Sequence, residues 1–309
     1  MRILLLGGHG FVGQNIAALL GPNHELVIAS RQDGLDLTDL AATRDRLAAV
    51  QPEVIVNCAA NVGSLNYVSV KAAEVVDQNL RMLLNVYRAV AEVCAHAVVV
   101  NPVANCAFPG DLDVYREDLF WLGEVHRSVL SYGSTRRMML VLSECYAMQH
   151  GVRSVNLLTP NMYGPHDSTD PNKAHALNAL VSRVVQAQAE GRPEITVWGT
   201  GTPVREWLYA GDFARVLASA LPILRDQALD RPVNVARNAG WSVREILDRI
   251  VAEVGYDGRV VWDRDRPDGA PRKVMDDERF VSVFGDFAFT PLSDGIRATI
   301  AHYRSVLPY

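Results

Sequence analysis

The residues MRILLLGGHGFVG constrain the fold more than any other stretch of the chain. Arg2-Ile3-Leu4-Leu5-Leu6 is a short apolar run without a helical stripe, which fits a strand buried on both faces of a parallel sheet. Gly7, Gly10 and Gly13 follow at once, and FVGQNIAALL then reads as a helix. A glycine-rich turn between a buried strand and a helix start leaves backbone N–H groups aimed at an anion, with the helix dipole behind them. Gly7 suits the tight turn, Gly10 the approach of a diphosphate, and Gly13 close packing of helix on sheet. The spacing is GxxGxxG, and its place between one strand and one helix predicts dinucleotide binding.

The same alternation continues. Residues 25–30 and 53–58 read as further strands, 40–50 and 72–95 as helices, 97–100 as a strand, 134–150 as a helix and 154–158 as a strand. After Thr159 a segment rich in Pro, Gly, Asn and Asp (161–173) marks a lobe boundary. A helix at 176–190, strands at 194–198, 231–236 and 259–262, and a helix at 242–254 opened by a Ser242/Glu245 capping box make a smaller continuation. The predicted architecture is α/β, a Rossmann-type doubly wound parallel sheet at 1–160 with 205–230 returning to it. A smaller α/β substrate lobe is predicted from 161–204 and 231–309.

Composition narrows the partners. At 309 residues, 49% hydrophobic and 21% charged, the chain has the make-up of a globular protein with a large core. A net charge of −5 argues against nucleic acid or an anionic membrane as partner. Cys58, Cys94, Cys106 and Cys145 have no metal-ligand spacing, so no metal and a reduced, cytoplasmic setting are expected. Cys94 and Cys145 read as packing residues on helix faces. The second strand ends in Ser30-Arg31, where an arginine suits a 2′-phosphate, which predicts NADP(H) over NAD.

Several segments, GGHGFVG, NCAANVG, NCAFP, YGSTR, NMYGPHD, VWGTGTPVREWLY and RPDGAPRK, occur in an order and spacing that resembles the extended short-chain dehydrogenase/reductase family, nearest its GDP-L-fucose synthase branch. The resemblance runs along nearly the whole chain. It implies a nucleotide-diphospho-sugar substrate, with Arg205 on the diphosphate and Asn161, Arg183, Trp198 and Lys273 near the nucleotide or sugar. For the cofactor it implies Gly7, Gly10, Phe11, Val12, Gly13, Arg31, Asp36, Leu37, Ala59, Ala60, Asn79, Tyr132 and Arg136. It also implies a homodimer through the helices at 72–95 and 134–150.

The family's hydride-transfer set is a tyrosine, a lysine four residues later, and a serine or threonine at the end of a neighbouring strand. Here Tyr132 is in place, the lysine position holds Arg136, and the hydroxyl position holds Ala104 followed by Asn105. Arginine keeps the charge but not the shape of lysine, and Ala104 has no donor. The branch's epimerising pair matches Cys106 and His175. A thiolate can remove a proton beside a carbonyl, and an imidazole can return one from the other face. The expected activity is therefore epimerisation at C3 and/or C5 of an NDP-4-keto sugar, GDP-4-keto-6-deoxy by resemblance, with hydride transfer weakened or lost. The alternatives are a complete NADPH-dependent epimerase-reductase and a cofactor-binding homologue without turnover.

Overall fold

The protein is described by a computed structural model covering residues 1–170, 173–265 and 268–308. Pro171 and Asn172, and the Arg266-Pro267 that opens RPDGAPRK, lie outside the described residues. The first lobe runs β1 (Arg2–Leu6), α1 (Phe11–Leu20), β2 (Glu25–Ala29), α2 (Leu40–Val50), β3 (Val54–Asn57), α3 (Leu65–Val70), α4 (Ala72–Val93), β4 (Val98–Ala104), α5 (Leu130–His150) and β5 (Arg153–Thr159). Then come β6 (Asn161–Tyr163), α6 (Ala176–Ala189), β7 (Glu194–Trp198), β8 (Val204–Tyr209), α7 (Ala210–Ala220) and β9 (Val233–Asn234). The chain closes with β10 (Gly240–Ser242), α8 (Val243–Val254), β11 (Arg259–Asp263), β12 (Arg272–Lys273), α9 (Glu278–Phe284) and α10 (Leu292–Ser305).

The main sheet has the order β2-β1-β3-β4-β5-β9, every neighbouring pair parallel. Side-chain alternation sends Leu4, Leu6, Ile55 and Val99 into a core with α2, α4 and α5. Ile3, Leu5, Val54 and Val56 enter a second core with α1 and α7 on the opposite face. Burial on both faces is why these strands read as continuous apolar runs. The direction of strand order reverses between β1 and β3, and in such sheets a crevice opens beyond the strand ends at that point. Gly7 and the Cys58-Ala59-Ala60 segment stand there.

The second lobe packs α6, α8 and α10 around Trp207, Ile195 and Val197. Its strands are β10-β8-β12, with β6 on β8, plus the pair β11-β7. The lobe division differs from the expected one in two places. β8 pairs within the second lobe's sheet, while its Leu208, α7 and Leu221, Leu224 and Leu229 after it pack on the first lobe's core. β9, expected in the substrate lobe, is the sixth strand of the main sheet through Leu157–Val233 and Leu158–Asn234. The strand expected at 231–236 is present within those bounds, and what differs is the sheet it joins.

Three further differences have local causes. β4 runs on to Ala104, past the expected end at residue 100, because Pro102 lies beyond the last β3 partner, where its missing N–H breaks no ladder bond on that side. α5 starts at Leu130, not 134, and takes Gly133 into the helix. Cys94 is buried as expected, but Cys145 is exposed on α5. The capping box at Ser242/Glu245 is present in both directions.

Candidate active site

A cleft of about 730 Å³ is walled by the glycine turn, the ends of β3 and β4, the start of α5 and the loop after β6. Its floor is set by backbone contacts that side chains would block. Gly7 has φ +73°, and a Cβ there would lie 2.8 Å from the Ala59 nitrogen; one on Gly13 would lie 2.5 Å from the Gly7 carbonyl oxygen. The N-cap of α1, Gly10, has no side chain to satisfy the first-turn amides. Phe11, Val12 and Gly13 line the cleft from that turn. The arrangement is the anion cradle of a dinucleotide diphosphate. The residues present thus fit such a cofactor.

A groove of about 630 Å³ continues from it, lined by Ser30, Arg31, Asp36, Leu37, Ala59 and Ala60, where an adenosine half fits. His9 does not face solvent freely: its Nε2 lies 3.0 Å from Asp33 Oδ1, while Ser30 Oγ donates to Asp33 Oδ2 at 2.9 Å. Asn79 stands apart from the expected cofactor contacts. It is fully buried, its Nδ2 donates to the Asn61 carbonyl at 2.8 Å, and its Oδ1 accepts from Asn61 N and Arg136 Nη2, both at 3.0 Å. It braces the segment after β3 and aims Arg136.

Tyr132 and Arg136 share one face of α5, with the Arg136 Cζ 4.8 Å from the Tyr132 ring centroid. Burial raises the Tyr132 phenol, and the Arg136 charge pulls it back only in part. Arg136 is buried, and its Nε has no hydrogen-bond partner in the structure. The turn after β4 carries Asn105 and Cys106 into the same cleft. Asn105 is 5% exposed, and its Nδ2 likewise has no partner. Ala104 ends β4 opposite Thr159 and offers only a methyl group. Asn105 opens the 3-10 turn that follows Ala104.

That turn is pressed against α5. A Cβ on Gly133 would come within 2.5 Å of the Cys106 carbonyl oxygen, so helix and turn touch backbone to backbone. Arg137 Nε, one residue past Arg136, donates to the Ala107 carbonyl at 2.5 Å. Burial pushes the Cys106 thiol up to about 11, against the opposing pull of Lys273 and then Arg136. A cation delivered or freed near this thiol is what its ionisation requires.

His175 enters from the other side, at the N-cap of α6, with its ring 5.2 Å from that of Phe11. Its backbone N–H donates to Asp167 Oδ2 at 2.7 Å, and its Nδ1 lies 3.1 Å from both Asp167 oxygens. Asn178 Nδ2 donates to the same carboxylate at 2.9 Å. Burial disfavours the charged ring, but the Asp167 hydrogen bond and charge outweigh it, and the imidazole titrates above its ordinary value. Asp167 lies in NMYGPHD eight residues before His175, a spacing with no helical or strand period to link the two.

The expected substrate residues divide. Asn161 lines the cleft; among the described residues of its wall, Arg183, Trp198, Arg205 and Lys273 do not appear. Arg205 and Lys273 are register partners across β8 and β12. Arg205 donates to the carbonyls of Val204 at 2.9 Å and Asp268 at 3.3 Å, while Lys273 is largely buried with its Nζ 5.6 Å from the Tyr115 ring centroid. Burial lowers the Lys273 ammonium, and the nearby Cys106 opposes this, so Lys273 is the one of the two within electrostatic reach of the thiol. Glu206 points away from Arg205: its carboxylate accepts from the backbone N–H groups of Arg237 at 2.7 Å and Met275 at 2.8 Å. Arg183 donates to the Thr196 carbonyl, and Trp198 is exposed at the end of β7.

A doubly wound sheet with a glycine cradle at its switch point, and a tyrosine-bearing helix facing it, is the frame of a dinucleotide-dependent enzyme of the extended short-chain type. The sequence profile of the NAD dependent epimerase/dehydratase family matches residues 3–236, and the chain belongs to that family. Its relatives include the GDP-L-fucose synthase of Escherichia coli strain K12, 30% identical over 89% of this chain and 88% of its own length. The probable GDP-L-fucose synthase 1 of rice (Oryza sativa subsp. japonica) is 29% identical over 98% and 92%. Among solved structures, a GDP-L-fucose synthetase from Naegleria fowleri superposes with TM-score 0.86 at 23% identity, over 98% of this chain and 93% of that one. A GDP-6-OMe-4-keto-L-xylo-heptose reductase from C. jejuni gives 0.87 at 21%, over 98% and 97%. The two structures establish the common fold.

Proposed function

We propose that the protein is a nucleotide-sugar epimerase that moves protons at C3 and/or C5 of an NDP-4-keto sugar, GDP-linked and 6-deoxy by analogy with its GDP-L-fucose synthase relatives. The observation that carries this reading is the convergence of Cys106, His175 and Tyr132 on one cleft beside the dinucleotide cradle. NADP(H) is the cofactor of this reading, supported by Arg31 at the end of β2 and by a Naegleria fowleri relative of the same fold solved with NADP. The cradle and groove residues would hold it, and when bound it supplies or accepts a hydride.

The chain's own groups account for the proton steps. The Cys106 thiolate takes the proton from a carbon beside the ketone, and the electron pair moves onto the C4 oxygen. The Tyr132 O–H and the free Asn105 Nδ2–H are the donors for that oxygen. Protonated His175 then gives its Nε2 proton to the carbon's opposite face. The step leaves a neutral thiol and a neutral imidazole, which reset by proton exchange with water. Arg205 and Lys273 are the cations for the substrate's diphosphate and for the thiolate.

In this reading hydride transfer is weakened, because Arg136 is turned to Asn79 and Ala104 has no donor. The complete epimerase-reductase is the second reading, favoured by the unpartnered Nδ2 of Asn105 next to the position of the missing hydroxyl. Incubation of a GDP-4-keto-6-deoxy sugar in D₂O, with and without NADPH, separates the two. Deuterium at C3 or C5 with little NADPH oxidation is the expected result. Rapid NADPH oxidation gives the second reading, and an absence of exchange removes both.

The helices α4 and α5 leave an apolar groove of about 780 Å³ lined by Ala72, Val76, Leu80, Leu84 and Leu130. Leu84 and Leu130 are exposed. This surface supports the homodimer, which sedimentation of the purified chain tests.

A further inference from the structure

We infer that Asp167 is a positioning residue for His175: it holds the imidazole in the Nδ1–H tautomer with Nε2 facing the cleft, and its carboxylate favours the ring that carries both protons. This rests on the proposed epimerase reading, in which His175 returns the proton. The carboxylate is 8% exposed and satisfied from three sides: by the His175 backbone, by Asn178 Nδ2 and by the His175 ring. An acceptor-only group beside Nδ1 requires the proton to sit there, so the other nitrogen is the one left for chemistry. The backbone bond from His175 and the Asn178 bond fix the carboxylate independently of the ring, so the carboxylate sets the ring's orientation and not the reverse. Asn178 also donates to the Gly164 carbonyl and accepts from the Gly164 N–H, both at 3.1 Å, which ties the loop to α6.

The loop is held from outside as well. Tyr303 on α10 donates to the Ser168 carbonyl at 3.0 Å, and His302 packs edge-on against His166 with ring centroids 4.9 Å apart. Among the described residues, the other charged or titratable groups around the pair are His166 and the Asp170–Lys173 pair on the same loop, and His302 from α10; α1 contributes the Phe11 ring and Asn15, whose Nδ2 donates to the Pro165 carbonyl at 2.9 Å. His302 is itself held below its ordinary value by burial and then by His166. Asp167 is the anion hydrogen-bonded to the His175 ring, and its own carboxyl stays low despite burial because the His175 bonds outweigh that cost.

The test uses the full chain with ¹⁵N-histidine, the His175→Asn variant assigning the resonance. In the wild type the neutral ring is expected as the Nδ1–H tautomer, titrating above a free histidine. In Asp167→Asn, which keeps the shape and an acceptor oxygen but loses the charge, that titration should fall. The limb of the pH–exchange profile belonging to the acid should shift to lower pH, and exchange at neutral pH should drop roughly 10²-fold with KM little changed. An Nε2–H tautomer in the wild type, or an Asp167→Asn profile that coincides with the wild-type one, overturns the inference. Should Asp167→Asn fail to fold, the wild-type tautomer and titration decide alone. Absence of exchange in the wild type strikes the epimerase reading instead, and leaves the tautomer measurement standing as the test of Asp167.

Discussion

The two halves of the cleft differ in how their polar groups are satisfied. Around His175 each named contact is closed: ring, backbone and Asn178 all meet one buried carboxylate. Across the cleft, Asn105 Nδ2 and Arg136 Nε are buried with no partner. A buried donor without an acceptor costs about 1–3 kcal/mol, and such cost persists where a ligand is to supply the missing atom. In the proposed reading the finished half is the preset proton donor. The unfinished half, in the same reading, has donors left over for substrate and cofactor.

The sharpest way to break this contrast is to remove a proton carrier. Cys106→Ser should lower solvent exchange into the sugar by roughly 10²–10⁴-fold, with NADPH affinity unchanged in a fluorescence titration; retained exchange would refute the thiol's role. Next in size, Asn105→Ala should cost about 10²–10³-fold in exchange and in any reduction. If Asn105 is only a scaffold, its loss should appear in thermal unfolding and not in the rate. Smaller still, Ala104→Ser with Arg136→Lys should raise NADPH oxidation by roughly 10-fold or more by restoring a donor and a compact cation. No gain from that pair means the hydride side was never deficient.

The smallest effect lies outside the cleft, at Glu206. Burial raises this carboxyl to about 7 against the opposing pull of two backbone N–H bonds. A group whose folded pKa lies above its unfolded value adds stability that is full below the unfolded pKa and lost as pH rises through the folded one. Between pH 6 and pH 7 the wild type should therefore lose about 1 kcal/mol relative to Glu206→Gln, read from urea unfolding at the two pH values. Equal slopes would place the carboxyl's ionisation elsewhere.

The main sheet and its cradle are legible in the sequence because burial on both faces and a glycine turn leave strong local marks. Cys106, Tyr132 and His175 are legible as residues through family motifs, but not their supports. Asp167 reaches His175 through a loop with no periodicity, and Asn79 reaches Arg136 between two helices far apart in the chain. The short β9 and the β4 extension past Pro102 depend on which neighbour lies alongside, which is tertiary information. The same holds for Arg183, whose guanidinium meets a β7 carbonyl and not the cleft wall.

The bare backbone contact at Gly133 joins the phenol's helix to the thiol's turn with no side chain between them. Phenol and thiol are thereby carried on two elements in direct backbone contact. A methyl group at position 133 would press on that contact, so in the proposed reading stereochemistry and hold on the ketone oxygen should drift together under mutation.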